Sequence, residues 1–526
     1  MKRFFYIALA LVCLASCQKA PFLTMTGSHN YNFTDHGGTQ SFSFSCNREW
    51  RASASDSWIR ISPSSGEASK EEITVTITCE SNTTYEDRNC TISIIAEDLN
   101  ETISVSQEQN KGIVMISEKS ISVDAAGGDF SIEYKTNDVV SVVINDNAKK
   151  WIEVLSGPST KSLHDEFVKF RIYPTDSYEL RAADIQLVTT ENKKETISVS
   201  QKGKDPINLC SKGTANSYIV PLTTDKYSFN ATVRGNGNVV IEGGASASIV
   251  WEFENRDSGK KTIVKNVSYD KDKGTISFYP SGTPGNALVA LKDASGAILW
   301  SWHLWCFNYD EDNGFHTING YKLMDRNLGA IDKRDAGFAY QWGRKDPFPI
   351  YFQGASIDYA YCTTPDIGSV DYAAAHPTTI IRASTASYHP TSGSGGHWLA
   401  AENYTNLWGG GKTSNDPCPP GWKVISNGYL VMKDIPTGVF STDDEGFVYF
   451  EEPYCVPKML LPKVTLFSAN GQSKSEGSSF FVWTCRSYWK GELGEEFSIS
   501  NNWLYPYGAS GTSAEDGRNV RCQRVY

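Results

Sequence analysis

Glu101-Thr102-Ile103-Ser104-Val105-Ser106-Gln107 recurs, residue for residue, as Glu195-Thr196-Ile197-Ser198-Val199-Ser200-Gln201. The heptapeptide alternates apolar and polar side chains, so an extended segment would bury one face and wet the other. Upstream, Asp56-Ser57-Trp58-Ile59 answers to Lys149-Lys150-Trp151-Ile152, and Gly37-Gly38 to Gly127-Gly128. Between these anchors Ile73, Val75 and Ile77 alternate with threonines. In the second copy Val168, Phe170 and Ile172 alternate with Lys169, Arg171 and Tyr173. Pro63-Ser64-Ser65-Gly66 and Ser156-Gly157-Pro158 supply turns. The chain therefore opens with a tandem repeat of small β-sandwiches, with a period of about 94 residues.

The two units, 34–109 and 110–203, resemble the BACON domain, an immunoglobulin-like sandwich frequent in secreted and lipidated proteins of gut bacteria. The resemblance rests on the W-I…P-x-S-G segment, the alternating central strand and the terminal I-S-V-S-Q strand. The family's name invokes carbohydrate, but no sugar-contact motif transfers to named positions here. Trp58 and Trp151 recur at equivalent places and read as core residues, which makes the units spacers. Glycan binding by them is the competing reading.

After the linker around Asp205-Pro206, residues 206–306 read as a third β-sandwich, with short aromatic and β-branched segments bounded by Gly, Asn, Asp or Pro. Its last strand, Ile298 to Trp305, puts Trp300, Trp302 and Leu304 on one face and Ser301, His303 and Trp305 on the other. Bulk on both sides predicts a strand covered on both faces. His303 reads as structural, since no second histidine lies nearby in the strand.

From residue 307 to 526 alternation fades, and ten of the 14 tryptophans lie between Trp300 and Trp503. Met324-Asp325-Arg326-Asn327-Leu328-Gly329-Ala330, Tyr340-Gln341-Trp342-Gly343-Arg344-Lys345-Asp346-Pro347, Asp416-Pro417-Cys418-Pro419-Pro420-Gly421-Trp422 and Gly517-Arg518-Asn519-Val520-Arg521-Cys522 follow in order. This series closely resembles the FISUMP (major paralogous) domain over about residues 320–526. The resemblance implies a loop-rich α+β fold like that of C-type lectin-like domains and formylglycine-generating enzymes. The expected fold class is thus mainly β and multidomain: tandem immunoglobulin-like sandwiches, then that domain. Asp325, Arg326, Arg344 and Asp346 read as internal loop braces, because long loops leave many backbone groups to satisfy.

The first residues read as an address. Lys2 and Arg3 precede an apolar stretch, Phe4 to Leu14, too short to span a bilayer, and Leu14-Ala15-Ser16-Cys17 follows. This resembles the lipobox of bacterial lipoproteins and implies a signal peptide at 1–17, lipidation of Cys17 and an outer-membrane lipid anchor. In the bacteria concerned, surface export goes with acids just after the cysteine. Gln18, Lys19, Ala20 and Pro21 include none, so surface-exposed and periplasm-facing placements both stay open. Residues 18–33 read as a linker.

Lys plus Arg number 49 against 60 Asp plus Glu, a net charge of −11 that argues against a nucleic-acid partner. No H-E-x-x-H, G-x-S-x-G, P-loop or C-x-x-C occurs, so no catalytic residue, metal or cofactor is assigned. Asp310-Glu311-Asp312-Asn313-Gly314 and Asp270-Lys271-Asp272-Lys273-Gly274 read as turns, lacking the acidic twelfth residue of an EF-hand. The ten cysteines beyond Cys17 permit disulfides without fixing their pairing. Trp398, Tyr404, Trp408, Trp489, Trp503, Tyr505 and Tyr507 lie in Gly/Asn/Ser-rich stretches and are the candidate ligand-binding residues, since sugar C–H faces pack on aromatic rings. The expectation is a non-catalytic envelope lipoprotein that binds a glycan or protein partner through its C-terminal domain. A structural component of a surface assembly, such as a fimbrial tip, is the alternative, and an enzyme of the formylglycine-generating type the second.

Overall fold

The computed structural model describes residues 19–525 except 157–163, 255–259, 351–353, 384–396, 401–405, 428–430, 432, 434, 437, 444–446, 463–478, 489–492, 501–502 and 506–511. Cys17 and the preceding segment therefore lie outside the described residues. The chain forms two compact units, one up to Lys204 and one from Asp205. No described helix is long and apolar enough to cross a membrane.

The first unit begins with β1 (Leu23–Met25), β2 (Asn30–Phe33), β3 (Gly38–Cys46), β4 (Trp50–Ala54), β5 (Ile59–Ser62), β6 (Ser65–Gly66), β7 (Ser69–Cys79), β8 (Arg88–Ala96) and β9 (Leu99–Gln107). They pair as two sheets, β1-β3-β7-β5 and β2-β9-β8-β4-β6. The alternation works as expected: Phe42, Phe44, Val75 and Ile77 from one sheet meet Ile92, Ile94, Ile103 and Val105 from the other. The segment expected to be a linker is corrected. β1 and β2 fall within 18–33, and β2 runs parallel to β9 with Tyr31 opposite Val105. Short, Asn-flanked strands carry too little alternation to be seen without their partners.

β10 (Ile113–Met115), β11 (Ser120–Val123), β12 (Gly128–Thr136), β13 (Val140–Ile144), β14 (Ile152–Ser156), β15 (His164–Ile172), β16 (Arg181–Thr189) and β17 (Lys194–Gln201) repeat the arrangement as β10-β12-β15-β14 and β11-β17-β16-β13. The repeated Gly-Gly has a steric reason. Gly37 and Gly127 sit at φ +74° and +68°, and an added Cβ would lie 2.3 Å from the carbonyl oxygen of Cys79 or 2.0 Å from that of Ile172.

In the second unit β18 (Ile207–Asn208), β19 (Ser217–Val220), β20 (Tyr227–Asn230), β21 (Ser246–Phe253), β22 (Val264–Asp270), β23 (Thr275–Pro280), β24 (Gly285–Lys292) and β25 (Ile298–Cys306) form sheets β18-β20-β23-β22 and β19-β25-β24-β21. This is the strand order of the first two sandwiches again, without their sequence signature. β25 is covered on both sides as expected. Trp300, Trp302 and Leu304 pack into the sandwich, while Trp305 joins a core with Trp342, Trp408, Trp422 and Trp483. The 306/307 boundary therefore lies beside one continuous core.

Beyond it, β26 (Phe315–Ile318), β27 (Tyr321–Met324), Cys522–Arg524 and Trp422–Val424 make one sheet. Ala339–Gln341, Gly517–Val520, Ser479–Tyr488, Leu493–Ser500 and Trp503–Tyr505 make another, with Thr512–Ser513 on Leu493–Ser500. The one described α-helix, Val370–Ala375, starts where Ser369 accepts a hydrogen bond from the Tyr372 amide. Cys418 and Cys522 form a disulfide across 104 residues, whereas Cys46, Cys79 and Cys90 are buried free thiols.

Candidate functional site

The motifs singled out in the C-terminal region build its interior. Indole N–H groups donate to backbone carbonyls: Trp305 to Ala330 (3.2 Å), Trp342 to Thr484 (3.0 Å), Trp398 to Trp342 (2.7 Å), Trp408 to Asn415 (3.1 Å) and Trp483 to Tyr340 (2.7 Å). Each gives a buried indole N–H a backbone acceptor, on loops at Ala330, Trp342 and Asn415 and on strands at Tyr340 and Thr484. Trp398 and Trp408 are 1% and 0% exposed, so as ligand platforms they are corrected: their rings are core. In a fold with little regular structure, the largest side chains do the bracing, and Gly/Asn-rich flanks do not signal exposure. Trp503 and Tyr505 lie on the last strand of their sheet, and their side chains are outside the described set; Tyr404, Trp489 and Tyr507 are outside the described residues.

The four expected braces are braces. Arg326 holds Asp325 through Nε and Nη2 (2.8 and 3.1 Å) and donates to the Ile331 carbonyl (2.5 Å). With Lys333 also beside it, Asp325 titrates below the usual carboxylate range although burial opposes this. Buried Arg344 donates to the carbonyls of Ala373, His376 and Thr379, so it completes the C-terminal end of the helix. Asp346 accepts from Ser301 Oγ (2.6 Å) and Lys345 Nζ (2.5 Å), and Lys345 also reaches Ser301 Oγ (2.6 Å). Burial pushes Lys345 down to about 8, with Asp346 opposing. A hydroxyl beside an amine and a carboxylate is a nucleophile set in principle. Here it borders a cavity of about 10 Å³, the size of one water.

His303 donates through Nε2 to Asn286 Oδ1 (2.9 Å), and the Asn286 amide nitrogen in turn donates to the Gly329 carbonyl. Burial lowers its pKa to about 3. Asp310 and Asp270 close turns by accepting backbone amides two and three residues on. Among the described residues no three His, Cys, Asp or Glu side chains gather to hold a metal.

A different aromatic site is open. The strand Asp358–Cys362 runs parallel to Thr379–Ala383, with Tyr361 opposite Arg382. Cys362 and Ile381 face inward onto Trp398, Ala373 and Leu399. Tyr359 and Tyr361, two residues apart and therefore on one face, are 48% and 54% exposed. The Arg382 guanidinium lies 4.1 Å from the Tyr359 ring centre and 5.9 Å from that of Tyr361, and donates to the Tyr361 hydroxyl at 3.4 Å. Two exposed phenol rings are thus stiffened by a cation between them, on a two-stranded sheet backed by core. The sequence signal was the tyrosine spacing in Asp358-Tyr359-Ala360-Tyr361-Cys362, with the apolar thiol fixing which face turns inward.

Residues 48–108 match the BACON family, described as "Putative binding domain, N-terminal". No curated protein sequence matches the chain. Among solved structures, a Bacteroides ovatus GH5 xyloglucanase in complex with a XXXG heptasaccharide is 28% identical over 20% of this chain and 22% of that one, at TM-score 0.16. The chain thus spans about a fifth of that enzyme's length. The titin I67-I69 fragment (E-to-A variant) is 10% identical over 55% of this chain and 98% of its own, at TM-score 0.24. Human protocadherin-24 EC1-2 is 13% identical over 36% and 99%, also at 0.24. With scores this low, the assignment of tandem immunoglobulin-like sandwiches rests on the strand order given above.

Proposed function

We propose that this is a non-catalytic, lipid-anchored cell-envelope protein that binds carbohydrate through its C-terminal region, with the repeated sandwiches as spacers. The observation that carries the reading is the exposed pair Tyr359 and Tyr361 beside Arg382. Sugar rings present C–H faces to aromatic planes, and guanidinium N–H groups suit hydroxyl acceptors. The match of residues 48–108 to a family of binding modules supports a binding role in general. The spacer role is supported by Trp58 and Trp151, each of which has an arginine standing over its ring and core packing around it. The anchor rests on the Cys17 motif alone. Screening the full chain against immobilised polysaccharides, with Tyr359→Ala/Tyr361→Ala as the control, tests the reading.

A further inference from the structure

We propose a second, independent ligand site on the third sandwich, selective for carboxylated sugars. A groove of about 410 Å³ is lined by Thr223, Thr224, Lys265, Asn266, Tyr279 and Ser281, with Leu222, Pro280 and Gly282 completing it. That size falls within the range of small-ligand clefts. Tyr279 and Lys265 are opposite partners across the β22/β23 ladder. Lys226, just before β20, places its ammonium 5.7 Å from the Tyr279 ring centre. Tyr279 therefore has one lysine opposite it in the ladder and the ammonium of another near its ring. Among the described residues neither Lys226 nor Lys265 makes an ion pair, although the chain as a whole carries a net charge of −11. Asp225 and Lys226, adjacent in the chain, both stand outside the groove lining, and Lys226 bears on the groove only through the Tyr279 ring.

β22 bulges between Lys265 and Ser268, and Asn266, a groove-lining residue, takes φ +52°, a left-handed conformation that asparagine adopts more readily than other non-glycine residues. A neutral sugar would use the ring and hydroxyls but leave both ammonium groups unanswered. A uronate places its ring against Tyr279 and its carboxylate within reach of Lys265, which hydrogen-bonds it as a charge-assisted donor, while Lys226 adds positive charge beside the ring.

The full chain is titrated with trigalacturonic acid by calorimetry at low salt, and with cellotriose as the neutral probe. Lys226→Gln/Lys265→Gln is expected to weaken trigalacturonate at least tenfold with its melting temperature unchanged. Tyr359→Ala/Tyr361→Ala is expected to bind trigalacturonate as the parent does, so failure of the groove and failure of the tyrosine ledge are read separately. Equimolar inorganic phosphate is expected not to displace the sugar. Absence of trigalacturonate binding, unchanged binding in the double lysine variant, or displacement by phosphate would each overturn the proposal.

Discussion

Arg181 stands over Trp151, its guanidinium carbon 4.5 Å from the ring centre, as Arg88 stands 4.4 Å over Trp58 one repeat earlier. Each arginine donates through Nε to the glutamine that ends the repeated heptapeptide, Gln201 (2.8 Å) or Gln107 (2.9 Å). Each glutamine then donates to carbonyls of two neighbouring loops: Asp124, Ala125 and Tyr173 for Gln201, Thr34, Asp35 and Glu80 for Gln107. The residues that make the repeat visible are thus the parts of a Trp-Arg-Gln brace. The repetition includes a folding brace shared by both sandwiches.

Replacing Gln201 by Ala removes a donor shared by three part-buried carbonyls and the acceptor of Arg181 Nε at once. Unsatisfied buried groups cost about 1–3 kcal/mol each, partly relieved by water. Q201A is expected to lower the unfolding free energy of its sandwich by about 2–4 kcal/mol in a urea titration. Gln107→Ala should behave alike, and a loss below about 0.5 kcal/mol, as at an ordinary surface site, would show the brace to be incidental.

Asn216 fastens the third sandwich to the loop carrying Asp416. Its amide donates to the carbonyls of Ser414 (2.7 Å) and Asp416 (2.9 Å), and its oxygen accepts from Trp300 Nε1 (2.9 Å). Ser217 Oγ donates to the Pro417 carbonyl at 2.7 Å. A fragment of residues 307–526 would lack these partners and would expose Phe338, which packs on Trp251 and His303. It is expected to fail to fold by near-ultraviolet circular dichroism, while 205–526 gives a cooperative melt.

The Cys418–Cys522 bridge closes a loop of 104 residues and ties the first residue of the strand Cys522–Arg524 to the loop that leads into its partner strand Trp422–Val424. Loss of a bridge of this span costs about 2–5 kcal/mol. Cys418→Ser/Cys522→Ser is expected to lower the melting temperature of the 205–526 unit, and reductant should reproduce the shift in the parent but not in the variant. Calorimetry of both proteins with and without dithiothreitol checks this.

Much of this architecture was legible because period-2 alternation and repeated anchors report directly on one-sided burial. Residues 73–77 and 168–172 gave the inner faces, and the two-faced pattern of residues 300–305 gave a doubly covered strand. The shared topology of the third sandwich was not legible. Its last strand ends in Cys306, with no counterpart of Gln107 or Gln201, and strand order leaves no mark without such residues. The ligand candidates failed at Trp398 and Trp408 because flanking composition does not say which way an indole points. The spacing of Tyr359 and Tyr361 puts them on the face opposite Cys362, but that this face is open to solvent follows from the packing of Cys362 and Ile381 onto Trp398.

His303 and His316 set an acid limit on the second unit. Burial lowers them to about 3 and about 4, against 6.5 when unfolded. Below pH 6.5 the unfolded chain takes up protons that the folded one refuses until near pH 4. Stability is therefore full above pH 6.5 and falls by about 1.4 kcal/mol per histidine for each pH unit in that window. Denaturant midpoints of the 205–526 unit should drop between pH 6.5 and 4.5, and His303→Gln/His316→Gln should flatten that slope. A parent midpoint that does not move would refute the assignment.

The central claim is that the Tyr359–Tyr361 ledge grips sugar. The most direct measurement is calorimetric titration of the full chain with the polysaccharide retained in the screen, comparing the parent with Tyr359→Ala/Tyr361→Ala. Both rings are about half exposed, so the variant should melt with the parent. Saturable binding that weakens at least tenfold in the variant, with no change in the sugar itself, is the predicted result. Equal affinity in the two proteins, or turnover of the polysaccharide by the parent, would contradict the account.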